Sequence, residues 1–132
     1  MSSQQLPRLA ALALLLPAGP LLAHHGTAGT YDQQKVVEYA GTVKEFVYRN
    51  PHAALILTGK DAAGKEVTYS FEVLPPSALV RNGIHKDTFK PGDTVTLSAH
   101  PAYNNPNVGK PIGGKFVLNG KPMGGLGGDQ DL

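Results

Sequence analysis

Residues 66–73 alternate without a break. Val67, Tyr69, Phe71 and Val73 share one parity, and Thr68, Ser70 and Glu72 share the other. A period of two sends successive side chains to opposite faces, which a helix of 3.6 residues per turn cannot do, so this stretch is a strand with one buried face. Residues 94–100 repeat the pattern, with Val95, Leu97 and Ala99 inward. Residues 53–58 are nearly all apolar, as in a buried strand. Along residues 36–48 the parity of Val37, Tyr39, Gly41 and Val43 slips at Lys44-Glu45, after which Phe46 and Tyr48 take over. A one-residue slip predicts a bulge or bend, the device by which a long strand turns a barrel corner.

Sixteen Gly and eleven Pro punctuate these runs and argue against a helical bundle, because both residues break helix interiors. Asn50-Pro51 marks a turn, and Asp61-Ala62-Ala63-Gly64 closes a hairpin between the second and third strands. Pro75-Pro76-Ser77 opens a short helix over Ala78, Leu79 and Val80, which Asn82-Gly83 stops. Phe89-Lys90-Pro91-Gly92-Asp93 turns tightly into the fourth strand. Residues 101–114, with Pro101, Pro106, Pro111 and several Asn and Gly, read as a long loop before a last strand at 115–118. The pattern predicts a mainly β domain over residues 36–121: a five-stranded OB-like small barrel with one short helix between the third and fourth strands. A small open β-sandwich fits the same periodicity. The expected core is Val43, Leu55, Leu57, Val67, Tyr69, Phe71, Val73, Leu79, Phe89, Val95, Leu97 and Phe116.

The ends read differently. Residues 1–23 resemble a secretory signal peptide: Arg8, an apolar run over 9–16, a break at Pro17-Ala18-Gly19-Pro20, and Leu21-Leu22-Ala23 before the cut. Eight apolar residues are too few to span a hydrocarbon core of about 30 Å, so no stable membrane anchor is expected after cleavage. The expected location is periplasmic or secreted. With no Cys, a lipoprotein anchor, disulfides and thiolate ligands are all excluded. Cleavage removes one basic residue, Arg8, and no acid, so the formal +2 falls to +1, a balance that predicts no nucleic-acid partner. Residues 24–35 then form an N-terminal arm, and residues 122–132 a Gly-rich tail expected to be disordered.

Ala23-His24-His25, Gly41-Thr42-Val43, Asn50-Pro51-His52-Ala53 and Lys90-Pro91-Gly92-Asp93 occur in this order. The set resembles a family of small exported bacterial proteins known only as a domain of unknown function, whose members carry A-H-H-S, G-T-V, N-P-H-A and K-P-G-D. The likeness runs from His24 to about Lys121. It departs at Gly26, where the family has Ser, and at Tyr48, Tyr69 and Ile84, where it tends to have Trp. The resemblance implies an exported barrel-like fold and no established activity.

Chemistry concentrates in histidine. Cleavage after Ala23 makes His24 the first residue, so its α-amine and imidazole chelate one metal together, and His25, His52 or His100 complete a nitrogen set. Such donors suit copper above the other divalent ions. The bland reading is a solvated terminus, a turn-fixing His52, a surface His100 on the outer parity of its strand, and a loop His85. Asp32, Glu38, Glu45 and Glu72 show no spacing that demands acid–base work. Ser70 and Ser77 lack a nucleophile elbow, and residues 124–128 lack the Lys and helix of a phosphate loop. Tyr48 and Tyr103 are candidates for a shallow binding face. The sequence therefore predicts a non-enzymatic exported binding module for an unknown protein or small molecule, with a copper-class site at His24, His25, His52 and His100. The alternative is a metal-dependent redox enzyme with an N-terminal His brace.

Overall fold

The computed structural model describes residues 29–127; the expected signal peptide, His24 and His25 lie outside the described residues. The order of elements is β1 (Val37–Val47), β2 (Ala54–Lys60), β3 (Glu66–Glu72), α1 (Pro76–Arg81), β4 (Thr94–Ala102), β5 (Asn105–Pro111), β6 (Lys115–Leu118) and β7 (Lys121–Gly124). β1 to β5 close on themselves in the order β1-β2-β3-β5-β4, with β4 returning to β1. The β3–β5 pairing is parallel and the others are antiparallel. A closed five-stranded barrel with its helix between β3 and β4 is the OB-like architecture that the alternation predicts.

β1 makes closure possible because it serves two neighbours. Its first half pairs with β4, from Val37↔Ala99 to Thr42↔Thr94, and its second half with β2, from Gly41↔Gly59 to Val47↔Ala54. The register shifts between Val43 and Glu45, where the parity slips in the sequence. At that corner the Val43 N–H donates to the Asp93 carbonyl (2.7 Å) and the Val43 carbonyl accepts from the Gly92 N–H (2.8 Å). The turn before β4 thus satisfies the backbone groups that a bulge frees.

The inward parities meet in one core. Leu55, Leu57, Phe71 and Leu79 are wholly buried. The Tyr39 ring stands edge-on to Tyr69 and Phe71, both at 5.0 Å, and Phe89 joins Phe46 at 4.9 Å to Phe116 at 5.6 Å. Each large side chain so removed from water contributes about 1.5–3 kcal/mol. Val67, expected in the core, is only half-buried. Tyr31, Tyr39, Ala53, Ile84, Ala99 and Leu126 join it instead.

The fifth barrel strand corrects the sequence reading. Residues 101–114, expected as a loop, hold β5 and the end of β4, and the expected last strand is β6. Both segments lie along β4: β5 through Ala99↔Pro111 and His100↔Lys110, β6 through Thr96↔Val117 and Val95↔Leu118. The Ile112 N–H donates to the Ser98 carbonyl at 3.1 Å between them. One barrel position is therefore filled by two short strands broken at Gly113-Gly114. Gly109 helps explain why β5 lacks an apolar signature: a Cβ there would lie 3.2 Å from the Ala99 Cβ and 3.3 Å from Phe71, so the closing strand must offer no side chain at that position.

Ordered structure also passes residue 121, the boundary drawn from the sequence. β7 pairs with β6 across the Asn119-Gly120 turn, and buried Leu126 accepts a bond from the Leu74 N–H at 3.0 Å. Among the described residues, no helix is long and apolar enough to cross a membrane.

Candidate functional site

The β2–β3 register builds the site. Lys60↔Glu66 flanks the turn at residues 61–64, where Asp61 Oδ1 accepts from the Ala63 and Lys65 N–H groups, both at 2.9 Å. Counting back along the ladder gives Ala54↔Glu72. Glu72 falls on the outer parity with Ser70, at the end of the barrel where Asn50, cis-bonded Pro51 and His52 connect β1 to β2. The result is a groove of about 370 Å³ lined by Tyr31, Arg49, His52, Ser70, Glu72 and Val108, among others.

His52 Nδ1 lies 3.8 Å from Glu72 Oε1, and both side chains are nearly half exposed. That distance is an ion-pair contact and too long for a hydrogen bond. Beside them the Tyr31 ring is buried. Burial raises its phenol pKa above the ordinary 10.0, and the charge of Glu72 raises it further. Glu72 thus has an imidazole on one side and a phenol within electrostatic reach.

Tyr31 belongs to the arm, and the arm is fastened to the end of β4. Tyr31 bridges Ala102, the Asp32 N–H donates to the Pro101 carbonyl (2.9 Å), and the Tyr103 N–H donates to the Thr30 carbonyl (3.1 Å). His100 completes the clasp: its Nδ1 lies 2.9 Å from the Lys35 carbonyl, which requires the proton on Nδ1. His100 sits on the expected outer parity yet is 6% exposed, because the arm covers it. The expected surface histidine is a buried anchor.

The candidate ligands therefore separate. His52 lines the groove, and His100 is not among its lining residues. Among the described residues, no three His, Asp or Glu side chains form a metal-holding group. Glu72, passed over in the sequence because no second carboxylate stands near it, becomes a site residue through the hairpin register. Tyr103 is 64% exposed at the β4–β5 turn, and Tyr48 is half-buried with its hydroxyl donating to the Pro76 carbonyl at 3.2 Å. A larger groove of about 510 Å³ lies beside α1, but glycines line most of it, and Arg81 is its one charged side chain.

A family model described as a family of unknown function (DUF6152) matches residues 13–110. No curated protein matches the chain. Among solved structures, the mitochondrial single-stranded DNA binding protein Rim1 of S. cerevisiae aligns with a TM-score of 0.47 and 13% identity, over 64% of this chain and 92% of that one. A likeness of that size says nothing about ligand.

Proposed function

Since the chain belongs to the DUF6152 family of unknown function, which supplies no activity, we propose from its own residues that it is an exported, non-enzymatic barrel. It binds a copper-class metal where the N-terminal histidine pair meets the His52 groove. The observation that carries this reading is that Tyr31 of the arm lines the same groove as His52. His25 stands six residues before Tyr31, so the intervening chain spans at most roughly 20 Å. An imidazole pair on a tether of that reach, together with a third imidazole, supplies the nitrogen donors that copper favours. An α-amine at His24, with an ordinary pKa near ~8, loses its proton on binding and joins the set.

His100 drops out of the ligand set in this reading. It is buried under the arm and does not line the His52 groove, and its Nδ1–H serves to hold the arm against β4. The enzymatic alternative, a brace of His24 with His52 or His100, is left with His52 alone. Nor does the outer face suit a nucleic-acid strand. The ladder places Glu45 opposite Ile56 and Glu72 opposite Ala54, carboxylates that repel a phosphate backbone.

The test is a copper titration of the chain beginning at His24, against the same chain with His24→Ala. The reading predicts weaker binding in the variant. Equal affinity in both removes the metal. N-terminal sequencing of the protein recovered from cells checks export separately, with His24 as the expected first residue.

A further inference from the structure

The hydrogen-bond parity of β3 leaves part of the barrel wall incomplete. The Val73 N–H donates to the Ala53 carbonyl (3.0 Å) and the Asp61 N–H to the Lys65 carbonyl (2.9 Å), and the β2–β3 register between them has no shift. In an antiparallel pair every second residue exchanges bonds with its partner, so the odd-numbered residues of β3 face β2. The even-numbered ones, Glu66, Thr68, Ser70 and Glu72, turn their N–H and C=O groups the other way, toward β5. There β5 meets β3 at Ser70↔Val108 and Phe71↔Gly109 and not before. Among the described residues, the backbone groups of Glu66 and Thr68 have no partner on that side, and both residues are exposed.

The start of β5 cannot fill the gap. Pro106 has no N–H, and its carbonyl accepts from the Tyr39 hydroxyl at 2.8 Å. The Asn107 N–H donates to Asn105 Oδ1 at 3.0 Å. β7, at the end of the strand order, carries Lys121 and Pro122, two devices that discourage a further strand. The β3 sequence has neither Lys nor Pro.

We propose that this edge of β3 takes up one extended peptide segment of a partner protein, which pairs with Glu66 and Thr68 and lowers an apolar side chain into the adjoining groove. The inference does not depend on a metal. Donors and acceptors set at two-residue spacing along a line match another extended backbone, which is the basis of recognition by strand addition. The groove, of about 510 Å³, lies at the same end of the barrel. Tyr69 and the Asp61-Ala62 turn bound it on the β3 side and Pro106 and Asn107 on the β5 side, while β1 contributes Val37 and Tyr39. Its charges come in both signs, Lys35 and Lys60 with Glu38 and Asp61, so it favours an uncharged side chain. A second copy of the chain is a poorer occupant. Its own bare edge is just as short, and so brief a ladder buries too little to hold two barrels together.

Four blocked heptapeptides are the probes: alternating Thr and Val, and the same peptide with Leu, Phe or Tyr at its centre. At least one is expected to bind the isotope-labelled protein. Amide exchange at Glu66 and Thr68, fast in the free protein, should then slow. The amides of Val67 and Tyr69, which face β2, should be protected throughout. Thr68→Pro removes an N–H that serves no bond to β2, so the barrel should keep its fold, as judged by its NMR spectrum. Peptide affinity should fall about 10-fold in that variant, the order expected for lost backbone bonds. If Thr68→Pro does not fold, exchange in the parent decides alone. Failure of all four peptides to bind overturns the proposal. So does binding that leaves Thr68 exchange unchanged, or that a folded Thr68→Pro retains in full. A dimer of the peptide-free protein that Thr68→Pro dissociates assigns the edge to a second copy and overturns it as well.

Discussion

His52 and His100 sit in two parts of one barrel and do opposite work. His52 stands at the open end of the β2–β3 hairpin, nearly half exposed, with a carboxylate 3.8 Å from Nδ1. His100 lies on β4 under the arm, 6% exposed, with Nδ1 on a backbone carbonyl at 2.9 Å. The same side chain is available chemistry in one place and architecture in the other. Burial under the arm, away from the groove, makes the difference. The arm links them, because the clasp at His100 fixes the stretch whose Tyr31 lines the His52 groove.

The contrast presumes one cooperative barrel beneath both histidines. Phe71→Ala, which empties a wholly buried position between Tyr39 and Gly109, should destabilise the protein by about 3–5 kcal/mol in urea unfolding. It should also loosen the arm and the groove together, read by hydrogen exchange at Tyr31 and Ala54. Loss of protection at one alone would mean that the two regions do not share a scaffold.

The next effect separates the histidines. His100→Ala removes a buried ring and its bond to the Lys35 carbonyl and should cost roughly 1–2 kcal/mol. His52→Ala should change stability by less than about 0.5 kcal/mol, as for an exposed side chain. Urea midpoints of the two variants decide it, and a reversed order would break the comparison.

A pH series sharpens it. The Tyr31 phenol has its pKa raised by burial, then by Glu72. Because the folded value lies above the unfolded one, its contribution is complete below pH 10 and drains away as pH climbs through the folded pKa. Stability should therefore fall in that alkaline window, and Tyr31→Phe should flatten that part of the profile. Tyr39, raised by burial and by Tyr69, adds to the same window and remains in the variant.

The smallest effect belongs to the opposite end of β4. Asp93 is partly exposed, and its pKa is lowered by the Asn119 amide and then by the Lys90 N–H. A lowered folded value means its contribution is present above the ordinary pKa of 3.8 and is lost as pH falls through the folded one. Asn119→Ala should shrink that acid-side loss slightly, as measured by thermal midpoints between pH 5 and pH 2. It should leave the His52 groove untouched.

Much of this architecture is legible in the chain. The β2, β3 and β4 patterns, the slip at Lys44-Glu45, the helix after Pro75-Pro76 and the Asp61–Gly64 turn all emerge from local periodicity and turn chemistry. The fifth strand is hidden because its physical requirement is negative. Gly109 must withhold a side chain, and Asn105, Pro106, Asn107 and Pro111 suppress the usual strand composition. The burial of His100 is hidden because parity reports which face a residue takes, while the arm that covers that face arrives from 65 positions away. The His52–Glu72 pair lies between these cases. The turn at residues 61–64 fixes the ladder, and counting back from Lys60↔Glu66 to Ala54↔Glu72 brings Glu72 beside the Pro51-His52 connection. That signal was in the spacing, but it needed the hairpin to be read as a ruler.

The most direct measurement of the central claim is a Zn(II) titration of the isotope-labelled chain beginning at His24, followed by NMR of the histidine rings and Tyr31. The account predicts that His24, His25 and His52 shift together with Tyr31 at one equivalent, while the His100 ring keeps its Nδ1 proton and its position. Movement of His100 in step with His24, or a terminal shift that leaves His52 and Tyr31 unmoved, would contradict it.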